Sequence, residues 1–130
     1  MDLNQVTIGV TNVPEAIAFY EGLGLACIVH DDDDDYARFE CPAGEATFSV
    51  HRVDEVMPSS TLIYFEVDNV DALIEQLGDI AIDHGPKDES WLWREARIRD
   101  PFGNPLCIFH AGENRKNPPW RKQDKPREAL

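Results

Sequence analysis

Short stretches of this chain carry side chains able to do chemistry: Arg38 in "YARFE", Ser49 and His51 in "ATFSVHRV", Glu95 and Arg97 in "SWLWREARIRD", and Cys107 in "PLCIFH". His51 is a base near neutral pH, suited to general-base work or to hydrogen-bonding a ligand. Ser49 has no visible Ser-His-Asp arrangement around it, so nucleophilic hydrolysis finds no support. Cys107, flanked by Leu106 and Ile108, reads as a small buried hydrophobe before it reads as a nucleophile. No neighbouring histidine or helix start is in evidence to lower its pKa. On a strand, Trp91, Trp93, Glu95, Arg97 and Arg99 share one parity, while Ala96 and Ile98 share the other. Trp93, Glu95 and Arg97 would then line a cleft, with Glu95 and His51 as candidate acid–base groups. Alternatively, Glu95 and Arg97 pair with cross-strand neighbours and the tryptophans bury at a dimer interface. Arg38, between apolar Ala37 and Phe39, is a second candidate cation for that cleft. His30 and His84 sit at expected strand ends, facing solvent. "DDDDD" at 31–35 lacks the spaced oxygens and glycine of a calcium loop and predicts a solvated hairpin tip.

These residues need elements to position them. A first strand is predicted over 3–10, then a helix with Asn12 as cap, Pro14 in its first turn, and Val13, Ile17 and Tyr20 on one stripe. Gly22 and Gly24 end it. Strand-like segments follow at 25–30, 36–41 and 46–52, separated by "DDDDD" and "PAGE". The pattern then restarts with the strand "TLIYFEV" and the helix "DNVDALIEQLG", capped by Asn69 and stopped by Gly78. Further strands are expected at 80–84, 94–99 and 105–110. The last two flank a turn, "RDPFGN", whose Asp-Pro opening and Gly-Asn exit suit tight reversal. Setting "VTNVPEAI" beneath "VDNVDALI" matches Val10 with Val67, Asn12 with Asn69, Val13 with Val70 and Ile17 with Ile74. The chain is a duplicated βαβββ unit: module one at about 3–53, module two at about 61–110, and a C-terminal arm at 111–130, all in one domain.

The two βαβββ halves, "AFYEGLGL" closing the first helix, and "RDPFGNPLCIF" near the end together resemble the vicinal oxygen chelate superfamily of glyoxalases, extradiol dioxygenases and bleomycin-resistance proteins. That resemblance implies an α+β fold whose paired modules form a curved eight-stranded mixed sheet around a cleft. It implies a homodimer, with the cleft in some members completed by the partner chain. Metal-dependent members take ligands from the first and last strand of each module. The corresponding positions here are Gln5, Ser49, Leu62 and Cys107, with Cys107 standing where those members carry glutamate. Leucine cannot coordinate, neutral serine is a poor ligand, and the set matches no common divalent site. No metal cofactor is therefore expected, with a shifted site using His51 or Glu66 as the alternative.

The totals bound the partners. The 130 residues are 42% hydrophobic and carry a net charge of −13. Residues 1–110 hold six basic against 22 acidic side chains, and the other six basic groups fall in the arm. So acidic a body disfavours nucleic acid. No apolar run approaches the roughly 20 residues of a membrane span. Three cysteines in no paired pattern, and an N-terminus without a signal-like segment, place the chain in the cytoplasm. The arm, with "NPPW", is expected to run extended, to anchor through Trp120, and to fray at its end.

The leading expectation is a metal-free protein that binds a small organic molecule. Its predicted ligand-binding residues are Gln5, Arg38, Ser49, His51, Leu62, Tyr64, Trp93, Glu95, Arg97, Cys107 and Phe109. Aromatic walls with a few placed polar groups suit such a ligand. The alternatives are a glyoxalase-like lyase, isomerase or dioxygenase, and a dimeric structural module with an empty cleft.

Overall fold

The computed structural model describes residues 1–122. Module one runs β1 (Gln5–Val10), α1 (Val13–Gly22), β2 (Ala26–His30), β3 (Tyr36–Glu40) and β4 (Thr47–Arg52). Module two runs β5 (Ile63–Glu66), α2 (Val70–Leu77), β6 (Ala81–Asp88), β7 (Arg94–Arg99) and β8 (Pro105–His110), followed by a one-turn α3 (Glu113–Lys116). The eight strands divide into two four-stranded sheets, ordered β1-β4-β3-β2 and β5-β8-β7-β6. Each sheet is mixed: its first strand pairs parallel with its last, and the other pairings are antiparallel.

The duplication extends to the helix caps. Asn12 Oδ1 accepts the Glu15 N–H at 2.9 Å, and Asn69 Oδ1 accepts the Ala72 N–H at 3.0 Å. Each cap satisfies one of the amides that a helix start leaves free. Both helices lay their apolar stripes on the sheets, burying Val13, Ala16, Tyr20 and Val70.

Two segments differ from expectation. β6 does not stop at His84 but continues through Gly85 and Pro86 to Asp88. It is an edge strand, and its pairing shifts register around His84. An edge with bulges tolerates a proline that donates no hydrogen bond. The arm does not simply run extended: 113–116 form α3, Arg115 lies 3.7 Å from Glu66, and Trp120 is 57% exposed rather than anchored. The expected frayed end lies outside the described residues.

The modules are joined through the two motifs that carried the resemblance. Tyr20, from "AFYEGLGL", donates its hydroxyl to Asp100 Oδ2 of the "RDPFGN" turn at 2.7 Å. Asp100 is 3% exposed and also accepts the amides of Phe102 and Asn104 and the side-chain amide of Asn104. Asn104 reaches across to the Gly9 carbonyl of β1 at 2.9 Å. Gly103 turns at φ +87°, a conformation costly for any residue with a Cβ. Burial, then the charge of Asp100 and its hydrogen bond, hold the Tyr20 phenol far above its usual pKa, so it stays a donor. Phe48 and Phe65 meet edge to face at 5.5 Å and continue the core across the same seam.

Candidate functional site

The sheet face of module two opposite α2 gathers most of the expected residues. β7 alternates strictly: Ala96 and Ile98 go to the core, and Glu95 and Arg97 to the other face. On that face Trp93 stacks on Phe109 at 4.6 Å, and Tyr64 meets both rings edge on, at 6.1 and 5.6 Å. Leu62 and Cys107 pack into the same cluster. Trp93 is fixed further by its indole N–H, which donates to the Asn114 carbonyl of α3 at 3.2 Å. Tyr64 remains 47% exposed.

Glu95 lies at the buried end of this face, 1% exposed. Its partners are Arg97 two residues along the same strand, Cys107 on the neighbouring β8, and Trp91 just before β7. Its Oε2 accepts the Arg97 Nε–H at 2.8 Å and the Cys107 thiol at 3.3 Å, and its Oε1 accepts the Trp91 indole at 3.1 Å. Trp91 belongs to the turn before β7, and strand parity did not foretell this bond. Burial, then the Glu95 hydrogen bond and charge, push the Cys107 thiol up to about 12. At neutral pH Cys107 is a protonated wall residue, the wrong form for a nucleophile or a metal ligand.

His84 departs from the solvent-facing position expected of it. It is half-buried on β6 opposite Arg97, and its donor atom lies within 4.8 Å of those of Glu89 and Glu95. Its Nδ1 is 2.9 Å from the Gly85 carbonyl, which leaves Nε2 for another partner. Cations already occupy this corner, however: Lys87 lies 3.5 Å from Glu89, and Arg97 holds Glu95.

Module one has its own polar face. Ser49 is fully buried, with Tyr36 Oη 2.8 Å from its Oγ, and Arg38 donates its Nε–H to Tyr36 Oη at 2.9 Å. Gln5 accepts from Thr47 Oγ1 at 2.9 Å. His51 pairs across the strands with Tyr36 and is exposed. Glu95 belongs to the other sheet, so strand pairing does not bring these two acid–base candidates together. Glu66, the candidate for a shifted metal, instead accepts the Ala111 and Gly112 amides at 2.7 and 2.9 Å and secures the start of the arm. At the "DDDDD" tip, Asp31 Oδ1 accepts the Asp35 and Tyr36 amides, Asp34 meets His30 at 2.6 Å and Asp35 meets Arg52 at 2.7 Å. Much of the run thus serves the turn.

The four positions implied for a metal do not fit one. Leu62 has no donor atom, Ser49 is bonded to Tyr36, Gln5 is bonded to Thr47, and Cys107 keeps its proton. A divalent site needs three converging donors in their ligating forms.

A cavity of about 950 Å³ opens beside the aromatic cluster. Leu23, Leu25 and Cys41 of module one line one side, and Tyr64, Phe109 and Arg115 line the other.

The sequence model of the Glyoxalase/Bleomycin resistance protein/Dioxygenase superfamily matches residues 2–108. The chain belongs to this superfamily. No curated protein matches it significantly. Among solved structures, a conserved domain protein shares 26% identity at a TM-score of 0.70, covering 85% of this chain and 99% of that one. A family enzyme from Burkholderia phytofirmans PsJN shares 19% identity at a TM-score of 0.73, over the same shares of the two chains. A bleomycin-binding protein complexed with bleomycin shares 18% identity at a TM-score of 0.65, covering 85% and 98%. The eight-stranded two-module fold is that of the superfamily.

Proposed function

We propose that the protein binds a small organic molecule on the aromatic face of module two, without a metal at the superfamily's ligand positions. The observation that carries this reading is the Tyr64–Trp93–Phe109 cluster, ordered by mutual ring contacts yet left with Tyr64 half open. A cavity of about 950 Å³ beside it suits an organic ligand, which wants apolar walls and few polar anchors. A face filled by its own side chains would fit a structural module, and the exposure of Tyr64 counts against that. The bleomycin-binding protein among the structural relatives supports the use of this fold for organic ligands. The test is an organic-ligand screen read by tryptophan fluorescence, repeated on Trp93→Ala. Saturable binding that weakens at least tenfold in the variant supports the reading; no saturable binding across a broad library ends it.

A second reading, favoured by the convergence of His84, Glu89 and Glu95, is an enzyme with a shifted divalent ion. Such an ion would have to displace Lys87 and Arg97 from these carboxylates, which ranks it second. A saturating rise in melting temperature of chelator-stripped protein with Zn²⁺ or Mn²⁺, absent in His84→Ala, would move it to first. The reading also includes a homodimer in a reducing compartment. Exposed Ile28, Val29, Ile82 and Leu92 on a small body, and three free cysteines, support those two points. No helix among the described residues is long and apolar enough to cross a membrane. Sedimentation as a single 14.7 kDa species at micromolar concentration would remove the dimer.

A further inference from the structure

We propose that Arg38, with the hydroxyl of Tyr36 braced from beneath by buried Ser49, forms a binding site for a carboxylate or phosphate group on the sheet of module one. Strand register makes Arg38 and Arg97 counterparts. Arg38 lies opposite Ser49, which lies beside Thr7; Arg97 lies opposite Cys107, which lies beside Tyr64. Each arginine directs its Nε–H onto the residue two positions earlier, Tyr36 Oη at 2.9 Å and Glu95 Oε2 at 2.8 Å. In module two that residue is a carboxylate and the guanidinium is compensated. In module one it is a neutral phenol.

Arg38 finds no other compensation. Arg52, Arg94, Arg97, Arg99 and Arg115 each form an ion pair with a carboxylate, and among the described residues Arg38 forms none. A half-buried arginine left unpaired in a body with a 22-to-6 excess of acids calls for an explanation. Its side chain is held in place, with the guanidinium carbon 5.5 Å from the Tyr36 ring centroid. The hydrogens tell the same story. Arg38 Nε–H uses Tyr36 Oη as acceptor, and only one hydroxyl hydrogen can lie in the 2.8 Å gap between Tyr36 and Ser49. With buried Ser49 donating into that gap, the Tyr36 hydroxyl hydrogen and the Nη hydrogens of Arg38 are left to donate. Such a set of donors around a positive fork matches an oxyanion, which offers several lone pairs and a charge. Two other titratable groups flank the site. Glu40, two residues along β3, is exposed and forms no ion pair among the described residues, and His51 stands opposite Tyr36. The net negative charge of the chain opposes an approaching anion at long range but is screened within about 8 Å at physiological salt.

This site lies on a different sheet from the aromatic face, so it stands or falls independently of the proposed organic-ligand site. The test is a titration of ¹⁵N-labelled protein at constant ionic strength with benzoate, inorganic phosphate and neutral benzamide, following the Arg38 Nε–Hε resonance. We expect saturable shifts with benzoate or phosphate and none with benzamide. Affinity should fall at least tenfold in Arg38→Gln, and also in Tyr36→Glu, which imports the carboxylate of module two. Amide spectra of both variants report that they remain folded, and Arg38→Gln suffices if Tyr36→Glu does not. A response to benzoate alone assigns an organic carboxylate, and one to phosphate alone assigns free phosphate or a phosphomonoester. Benzamide binding as tightly as the anions, anion binding unchanged in Arg38→Gln, or no saturable shift with either anion each overturns the proposal.

Discussion

The two modules share a backbone plan and differ in how they use one arginine. In module two, Arg97 lies against Glu95, which also takes the Trp91 indole and the Cys107 thiol, and the polar core of that face is closed on itself. Stacked aromatic rings extend from it towards the cavity. In module one, Arg38 lies beside Tyr36 and opposite Ser49, and the face also holds Gln5, Thr7, Glu40, Thr47 and His51, with no aromatic stack among the described residues. One change, carboxylate to phenol beside the arginine, separates an ion-paired guanidinium from one with no carboxylate beside it among the described residues. Duplication placed an arginine at the same strand position twice, and the neighbour of each decides whether its charge is paired.

The largest effect should come from removing the closure of module two. Glu95→Ala leaves a half-buried guanidinium, an indole N–H and a thiol without their acceptor, and should cost about 3 kcal/mol in urea unfolding. Tyr20→Phe strikes the seam common to both modules. Asp100 keeps its turn amides but loses the hydroxyl, for a loss of about 1–2 kcal/mol. Tyr36→Phe, the module-one counterpart of a change at Glu95, should cost only about 1 kcal/mol, since it breaks no ion pair and takes from the Arg38 Nε–H and the Ser49 hydroxyl only an uncharged partner. Equal costs at Glu95 and Tyr36 would erase the contrast between the faces.

Near neutral pH the remaining effect is silent, and it shows only in alkali. The Cys107 thiol is raised from 9.0 to about 12 in the folded protein, so the fold binds this proton more tightly than the unfolded chain does. The resulting stabilisation is full below pH 9 and is lost as pH climbs towards 12. Cys107 should therefore resist alkylation at pH 8 while the partly exposed Cys27 and Cys41 react. Rapid labelling of Cys107 under those conditions would refute its assignment as a protonated wall residue.

Local patterning alone made much of this protein legible. Asn caps repeated at a fixed offset announced two helices, and Asp-Pro with Gly-Asn announced the β7–β8 turn. The parity of β7 correctly separated Glu95 and Arg97 from Ala96 and Ile98, because side chains on a strand must alternate. What the sequence could not show was the partner of each polar group. Thr7 and Tyr64 are 57 residues apart, Ser49 and Cys107 are 58, and Arg38 and Arg97 are 59, because the hairpins of the two modules differ in length. A single offset therefore hides the correspondence of the two arginines. Trp91 and His84 reached Glu95 only through a tight turn and a bulged edge strand that no periodicity encodes. Periodicity and capping are properties of neighbours along the chain, and they determined the two modules. Whether a guanidinium meets a carboxylate or a phenol depends on register between strands distant in sequence, and only the tertiary structure decided that.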